Sequence, residues 1–394
     1  MKDSSVVILS ARRTPIGAFQ GVLSALTAPQ LGTAAARAAI EDSGVDAGQI
    51  DEVIFGCVLP AGLGQAPARQ AALGAGVPKH VPATTINKMC GSGLKAVMMA
   101  ADQIRAGEAG IVLAGGLESM SNAPYLLPKA RGGYRMGHGE VLDHMFYDGL
   151  QSPFDGKLMG CFAEATAEKY GFTRAMQDEF AAESVRRAVR AVNEGDFAAE
   201  IAPVKVPGRK GETVVDRDET PFKCDLEKIP TLKPAFVKDG TVTAASSSSI
   251  SDGAAALIVA SEAQAKSRGL KPLARILAYA SQAQEPEWFT TAPVGAIRKV
   301  LDRLGWSARD VDLYEINEAF AAVTMAAIRD LELDPARVNV NGGACALGHP
   351  VGATGARILT TLVHALRRRG GRRGIASLCI GGGEAVAVAV EVFS

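Results

Sequence analysis

The stretch Asn87-Lys88-Met89-Cys90-Gly91-Ser92-Gly93-Leu94-Lys95 sets a cysteine between a strand-like approach and a helical pattern of Leu94, Val97, Met98, Ala101 and Ile104. A thiol there lies at or near a helix N-terminus, where unpaired N–H groups and the positive dipole end favour thiolate over thiol. Glycines on both sides of Ser92 would let a bulky ligand approach the backbone. Three further signals follow: Glu315-Ile316-Asn317-Glu318-Ala319-Phe320, the glycine-rich run Asn341 to Ala353 with His349 inside it, and Leu378-Cys379-Ile380-Gly381-Gly382-Gly383. A cysteine nucleophile needs a base. His349 is a candidate for that base, and Cys379 is a second thiol able to move a proton at another carbon.

Taken singly, each residue has a structural reading. Cys90 or Cys379 could be inert core, and Asn317 could cap a helix beginning at Glu318. His349, one of five histidines, sits in a glycine-rich loop. Gly381-Gly382-Gly383 lacks the spacing of a nucleotide-binding loop. Arg367-Arg368-Arg369 with Arg372-Arg373 reads as a solvated cluster at a helix C-terminus.

The elements that must position these residues alternate. Val6 to Ser10 reads as a buried strand ended by Arg12-Arg13-Thr14-Pro15, Pro29 to Ser43 as a helix stopped by Gly44, Val53 to Gly56 as strand and Ala66 to Gly74 as helix. Thr84-Thr85-Ile86 leads into the Cys90 turn, and Ile111 to Gly116 is a further strand. Apolar strands between helices predict a parallel or mixed sheet covered on both faces. From about Ser121 to Ser249 prolines and glycines interrupt the pattern and one helix stands out, roughly Arg174 to Asn193, as in an inserted loop region. Ser246-Ser247-Ser248-Ser249 reads as an ordered turn rather than a hinge. After Pro272 the alternation returns with an echo: Asp51 to Phe55 matches Asp310 to Tyr314, Thr85-Ile86-Asn87 matches Val338 to Asn341, and Ile111 to Gly116 matches Ser377 to Gly383. Two copies of one α/β unit are expected, so Cys90, Asn317, His349 and Cys379 would converge from separate strand ends.

Lys plus Arg and Asp plus Glu each total 42, which leaves no overall field for nucleic acid or a membrane surface. Six cysteines without paired spacing argue against zinc or a disulfide framework and suggest a reducing compartment. With no leader-like or membrane-like run, cytoplasm is the expected location.

Together the motifs resemble the thiolase family. Asn87-x-x-Cys90-x-Ser92-Gly93, Asn317-Glu318-Ala319-Phe320, Asn339-Val340-Asn341-Gly342-Gly343 to Gly348-His349-Pro350, and Cys379-Ile380-Gly381-Gly382-Gly383 look like its signatures in order, and Ala11 to Gly17 and Gly64 to Gln70 fit too. The resemblance spans essentially the whole chain. It implies a thiolase fold: two pseudo-symmetric βαβαβ-type halves in a five-layered α-β-α-β-α core. Residues 1–120 with 250–272 would form the first half, 121–249 a loop domain for CoA binding and tetramerisation, and 273–394 the second half.

The resemblance further implies an acyltransferase acting on acyl-CoA and CoA, condensing two acetyl-CoA to acetoacetyl-CoA or running in reverse. A broader 3-ketoacyl-CoA thiolase of fatty-acid degradation is the alternative. Cys90 would carry the acyl group, His349 would take its proton and Cys379 would remove the α-proton of the second substrate. Asn317, through a water, and His349 Nε2 would hold the enolate oxygen. The N–H groups of Cys90 and Gly381 would hold the tetrahedral oxyanion, each such donor being worth about 2.7–4 kcal/mol. Ser248 would lie near the pantetheine, with Met159, Phe236 and Phe320 as pocket walls. No metal or redox cofactor is expected. Pro124 to Gly137 resembles the loop that ties thiolase dimers into tetramers, so a homotetramer is implied. Leu158 stands where short-chain members commonly have His, Ser246 where Asn is usual, and Phe222-Lys223 near a usual Arg.

Overall fold

The computed structural model describes residues 5–209 and 211–393. Its centre is one continuous mixed sheet built from two matching groups of strands. The first group is β1 (Val6–Arg13), β2 (Glu52–Gly56), β3 (Ala83–Ile86), β4 (Ile111–Ser119) and β5 (Ser251–Ser261), in the order β1-β5-β4-β2-β3. The second is β6 (Ala274–Ala283), β7 (Leu313–Ile316), β8 (Arg373–Ile380) and β9 (Glu384–Val392), in the order β6-β9-β8-β7. Pair for pair the directions repeat. β1/β5 and β5/β4 are antiparallel and β4/β2 and β2/β3 parallel. Likewise β6/β9 and β9/β8 are antiparallel, β8/β7 is parallel, and a parallel bridge from Tyr314 to Val338 replaces the fifth strand. The echo read from the sequence is thus a structural repeat. A short antiparallel seam, Val6 to Ile8 against Ala274 to Ile276, joins the two groups.

Besides a short helix at Glu262–Ser267, the helices are α1 (Ala28–Ser43), α2 (Pro67–Gly74), α3 (Ser92–Ala106), α4 (Met159–Tyr170), α5 (Arg174–Asn193), α6 (Ala292–Leu304), α7 (Ala321–Asp330), α8 (Ala344–Leu347) and α9 (Thr354–Arg369) among the described residues. α1 starts where Thr27 and Gln30 cap each other's backbone N–H and stops at left-handed Gly44. α1 and α2 cover the outer face of the first strand group and α6 that of the second, while α3 and α9 pack on each other and on strands of both groups. This gives five layers. α9 is buried on every side from Thr354 to Leu366, the signature of a helix with no solvent face. Its Leu359 and Leu362 share one core with Leu94 and Val97 of α3 and with Leu378 and Val388 of the second strand group.

Two expectations need correction. β1 continues through Arg12 and Arg13, which pair with Ala256 and Ala255. Arg13 stays in the sheet although fully buried, because Glu200 (2.5 Å) and Asp218 (2.7 Å) neutralise it. The middle region holds a second helix, α4, besides α5. It escapes a sequence reading because Leu158 at its N-cap makes no side-chain capping bond and its first turn contains Gly160.

Candidate active site

Cys90 lies in the turn between β3 and α3, one residue before the Gly91 N-cap. Met89 takes a left-handed φ of 47°, costly for a side-chain-bearing residue, and its neighbours hold it there. Asn87 Oδ1 accepts from Met89 N–H (2.8 Å), while Ser92 Oγ accepts from Lys88 N–H (2.8 Å) and donates to Met89 O (2.6 Å). The spacing of Asn87, Cys90 and Ser92 is therefore that of a clamp around the presented thiol. The glycines beside Ser92 serve packing rather than ligand approach. A Cβ on Gly91 would stand 2.4 Å from Ile380 Cδ1, and one on Gly93 2.7 Å from Ala356 N.

The thiol is not biased toward thiolate, contrary to the helix-end reading. Cys90 keeps some exposed surface, yet desolvation by the surrounding protein pushes it up to about 11. The nearby N–H groups of Gly381 and of Cys90 itself pull the other way without prevailing, and Glu118 adds to the rise.

His349 is buried after α8, its N–H donating to Ser249 O (3.1 Å). Nδ1 lies 2.6 Å from Thr354 Oγ1, whereas Nε2 has no protein partner. Burial first, and the Arg357 charge second, lower its pKa to about 3, so the ring rests neutral. Cys379, at the end of β8, is fully buried, and desolvation first, then proximity to Cys90, hold its thiol well above the ordinary range. Asn317 follows β7 and does not cap a helix: α7 begins only at Ala321, with Phe320 at its N-cap. Its N–H donates to Ser377 O (3.0 Å), and both side-chain polar atoms are buried without a protein partner.

A cavity of about 350 Å³ collects Cys90, His349, Gly381, Ser248, Met159, Phe236 and Phe320 on its walls. Neither Cys379 nor Asn317 is on its walls; Cys379 packs among Met159, Phe236 and Phe320, which are. Phe236 lies edge-on to Phe320 and seats its ring where a Cβ on Gly160 would be. The serine segment is ordered, as expected: Ser248 N–H donates to Ala319 O (3.0 Å) and Ser246 O accepts from Ala321 N–H (2.8 Å). Leu158 also lines the cavity. Ser246 is buried against Thr243, and Lys223 extends to Glu219 at 2.5 Å. A larger cleft of about 890 Å³ between α5 and α7 holds none of the reactive groups.

Three contributors were missed in the sequence. Glu118, at the end of β4, accepts the N–H groups of Val58 (2.9 Å), Leu59 (3.1 Å) and Gly352 (2.9 Å), tying the loop after His349 to the first half. Asn339 brackets Asn317, accepting from Ile316 N–H and donating to Ile316 O and Glu318 Oε1, each at 2.8 Å. Thr354 is the partner of His349. Only the run Asn339-Val340-Asn341 hinted at any of these.

A neutral acid–base pair on one cavity, with Gly381 beside it and a second thiol packed against the cavity walls, is equipped for acyl transfer. Comparison with known proteins defines the class. Residues 6–263 match the model of the thiolase N-terminal domain and residues 270–392 that of the thiolase C-terminal domain. The chain belongs to the thiolase family. It is 54% identical over 385 residues to an acetyl-CoA acetyltransferase of Pseudomonas aeruginosa, covering 97% of this chain and 98% of that one. It is 51% identical to one of Cupriavidus necator, covering 98% and 99%. The crystal structure of the Bacillus anthracis acetyl-CoA acetyltransferase superposes with a TM-score of 0.97 at 44% identity, covering 99% of each chain. That of the Acat5 thiolase from Ascaris suum in complex with coenzyme A does so at 0.93 and 44%, covering 99% of this chain and 100% of that one.

Proposed function

We propose that the protein condenses two acetyl-CoA to acetoacetyl-CoA and CoA, or runs the reverse, through an acyl-Cys90 intermediate. The observation that carries this reading is one cavity that gathers Cys90, Gly381 and His349, whose Nε2 has no protein partner, with the Cys379 thiol packed against the cavity walls Met159, Phe236 and Phe320. His349 takes the Cys90 proton, and the thiolate attacks the thioester carbonyl. The two N–H groups receive the oxyanion, and the acyl group moves to sulfur as CoA leaves. Cys379 rests as a thiol, so it must lose its proton before it can act as a base. The departing CoA sulfur is the acceptor that balances the step. The Cys379 thiolate then removes the α-proton of the second acetyl-CoA, and the proton retained on His349 Nε2, with a water held by Asn317, supports the enolate oxygen. Carbon attack on acyl-Cys90 releases its sulfur, which recovers the proton from His349.

Met159, Phe236 and Phe320 narrow the cavity beside Cys90, which favours a two-carbon acyl group over the longer chains of a broad-range enzyme of fatty-acid degradation. Ser248 faces the same cavity and suits the pantetheine arm, and residues 121–249 would carry the rest of CoA. All proton transfers use protein groups and CoA, so the reaction as written calls on no metal or redox cofactor. Tyr125, Leu127 and Met136 are exposed on the arm that resembles a tetramerisation loop, which supports a homotetramer. Among the described residues no helix is long and apolar enough to cross a membrane. Six cysteines without paired spacing support a reducing compartment, and on that ground we place the enzyme in the cytoplasm; its CoA-thioester chemistry fits fatty-acid metabolism. CoA-dependent loss of acetoacetyl-CoA is the direct assay. Cys379→Ala should lose condensation yet still acylate Cys90. A folded, reduced preparation without thiolysis, or turnover that survives Cys379→Ala, would overturn the reading.

A further inference from the structure

We propose that Thr354 is a positioning residue whose hydroxyl fixes His349 in the one tautomer that leaves an Nε2 lone pair for the Cys90 proton. The inference rests on His349 being the base and follows from counting hydrogens. Thr354 Oγ1 has one hydrogen and two near neighbours, Pro350 O at 2.9 Å and His349 Nδ1 at 2.6 Å. Pro350 O also accepts the N–H groups of Ala353 (2.9 Å) and Thr354 (3.0 Å), but at 2.9 Å it faces Oγ1 lone pair to lone pair unless the hydroxyl hydrogen lies between them, so Oγ1 donates to Pro350 and meets the imidazole with a lone pair. Nδ1 then carries the ring hydrogen and Nε2, which has no protein partner, is bare. When Nε2 takes a proton, the Nδ1–H to Oγ1 bond persists, so both protonation states keep one ring orientation.

The local build makes this rigid. Thr354 opens α9 and back-bonds to the carbonyl four residues earlier, which belongs to the residue after His349. Its β-branched side chain restricts χ1, and the residue is fully buried. The other half of the repeat has the same device: Ser92, in the first turn of α3, donates to Met89 O beside Cys90. Serine at that position ties down a backbone. Threonine at position 354 additionally reaches a titrating ring.

The test has two arms. In the wild-type enzyme with 15N-labelled histidine, His349 assigned by loss of its signals in His349→Asn should show a protonated Nδ1 and an unprotonated Nε2 at neutral pH. The reverse tautomer overturns the proposal. Thr354→Val keeps the shape but removes the acceptor. It should lower kcat by about 10- to 100-fold with KM little changed and shift the tautomer signals, while Thr354→Ser restores both. A valine variant within about two-fold of wild-type kcat, or a loss confined to KM, also overturns it. The 15N arm needs no turnover, so failure of the thiolase reading in the acetoacetyl-CoA assay is distinguishable from failure of this assignment.

Discussion

Cys90 and His349 rest as a neutral pair rather than a thiolate–imidazolium pair, because burial pushes the thiol up to about 11 and the imidazole down to about 3. On the proposed mechanism the proton would move only when a substrate carbonyl is present to receive the charge. Alkylation of Cys90 by iodoacetamide in the free enzyme should then accelerate with rising pH, by up to about ten-fold per unit through the neutral and mildly alkaline range, with no plateau. A plateau beginning below pH 7 would reveal a pre-formed ion pair. The candidate residues were legible in the sequence as types: thiol, imidazole and amide side chains at predicted strand ends. Their ionisation was not, because the helix-end argument for Cys90 considers one element, whereas desolvation depends on everything packed around the sulfur. Thr354 was invisible for a related reason: a threonine five residues after a histidine gains meaning only once α9 starts there.

At the scale of elements, Glu118 is the bolt between the two halves. Its carboxylate takes three N–H groups from the segments after β2 and after His349, and burial pushes it from 4.5 to about 7. A folded pKa above the unfolded one means that the folded state binds the extra proton, so this group's contribution to stability is present below pH 4.5 and is lost as pH rises to about 7. The loss is on the order of 3 kcal/mol. His349 has the opposite sign, its contribution being lost as pH falls from 6.5 toward 3, so the two must be separated by mutation. Glu118→Ala leaves three buried N–H groups without an acceptor and should reduce urea stability at pH 7 by roughly 3–5 kcal/mol. The difference between wild type and variant should widen below pH 6. A difference constant across that range would remove Glu118 from the titration. Strand, helix and repeat order were readable from apolar runs and capping residues. This bolt was not, because Glu118 and Gly352 are 234 residues apart in the chain.

For the whole molecule, the repeat explains why one cavity can draw on both halves. α3 and α9 occupy the same place in their halves, each begins beside a reactive residue, and they pack together in the central layer. Their crossing is set by glycines at matching positions: a Cβ on Gly93 would stand 2.7 Å from Ala356 N, and one on Gly355 2.3 Å from Leu94 N. Both obstacles are backbone atoms, so neither can swing aside. Gly355→Ala should therefore part the helices and with them the ends that carry Cys90 and His349. Overpacking of this kind costs about 1–3 kcal/mol, which a core of this extent can survive. A displacement near 1 Å between nucleophile and base costs about 100-fold in rate. The expected variant is folded by circular dichroism, with a Tm lowered by a few degrees, and has lost most acylation of Cys90 by acetyl-CoA. Retained acylation at a lowered Tm would show that the two halves adjust independently and that the helix crossing does not set the distance between the reactive residues.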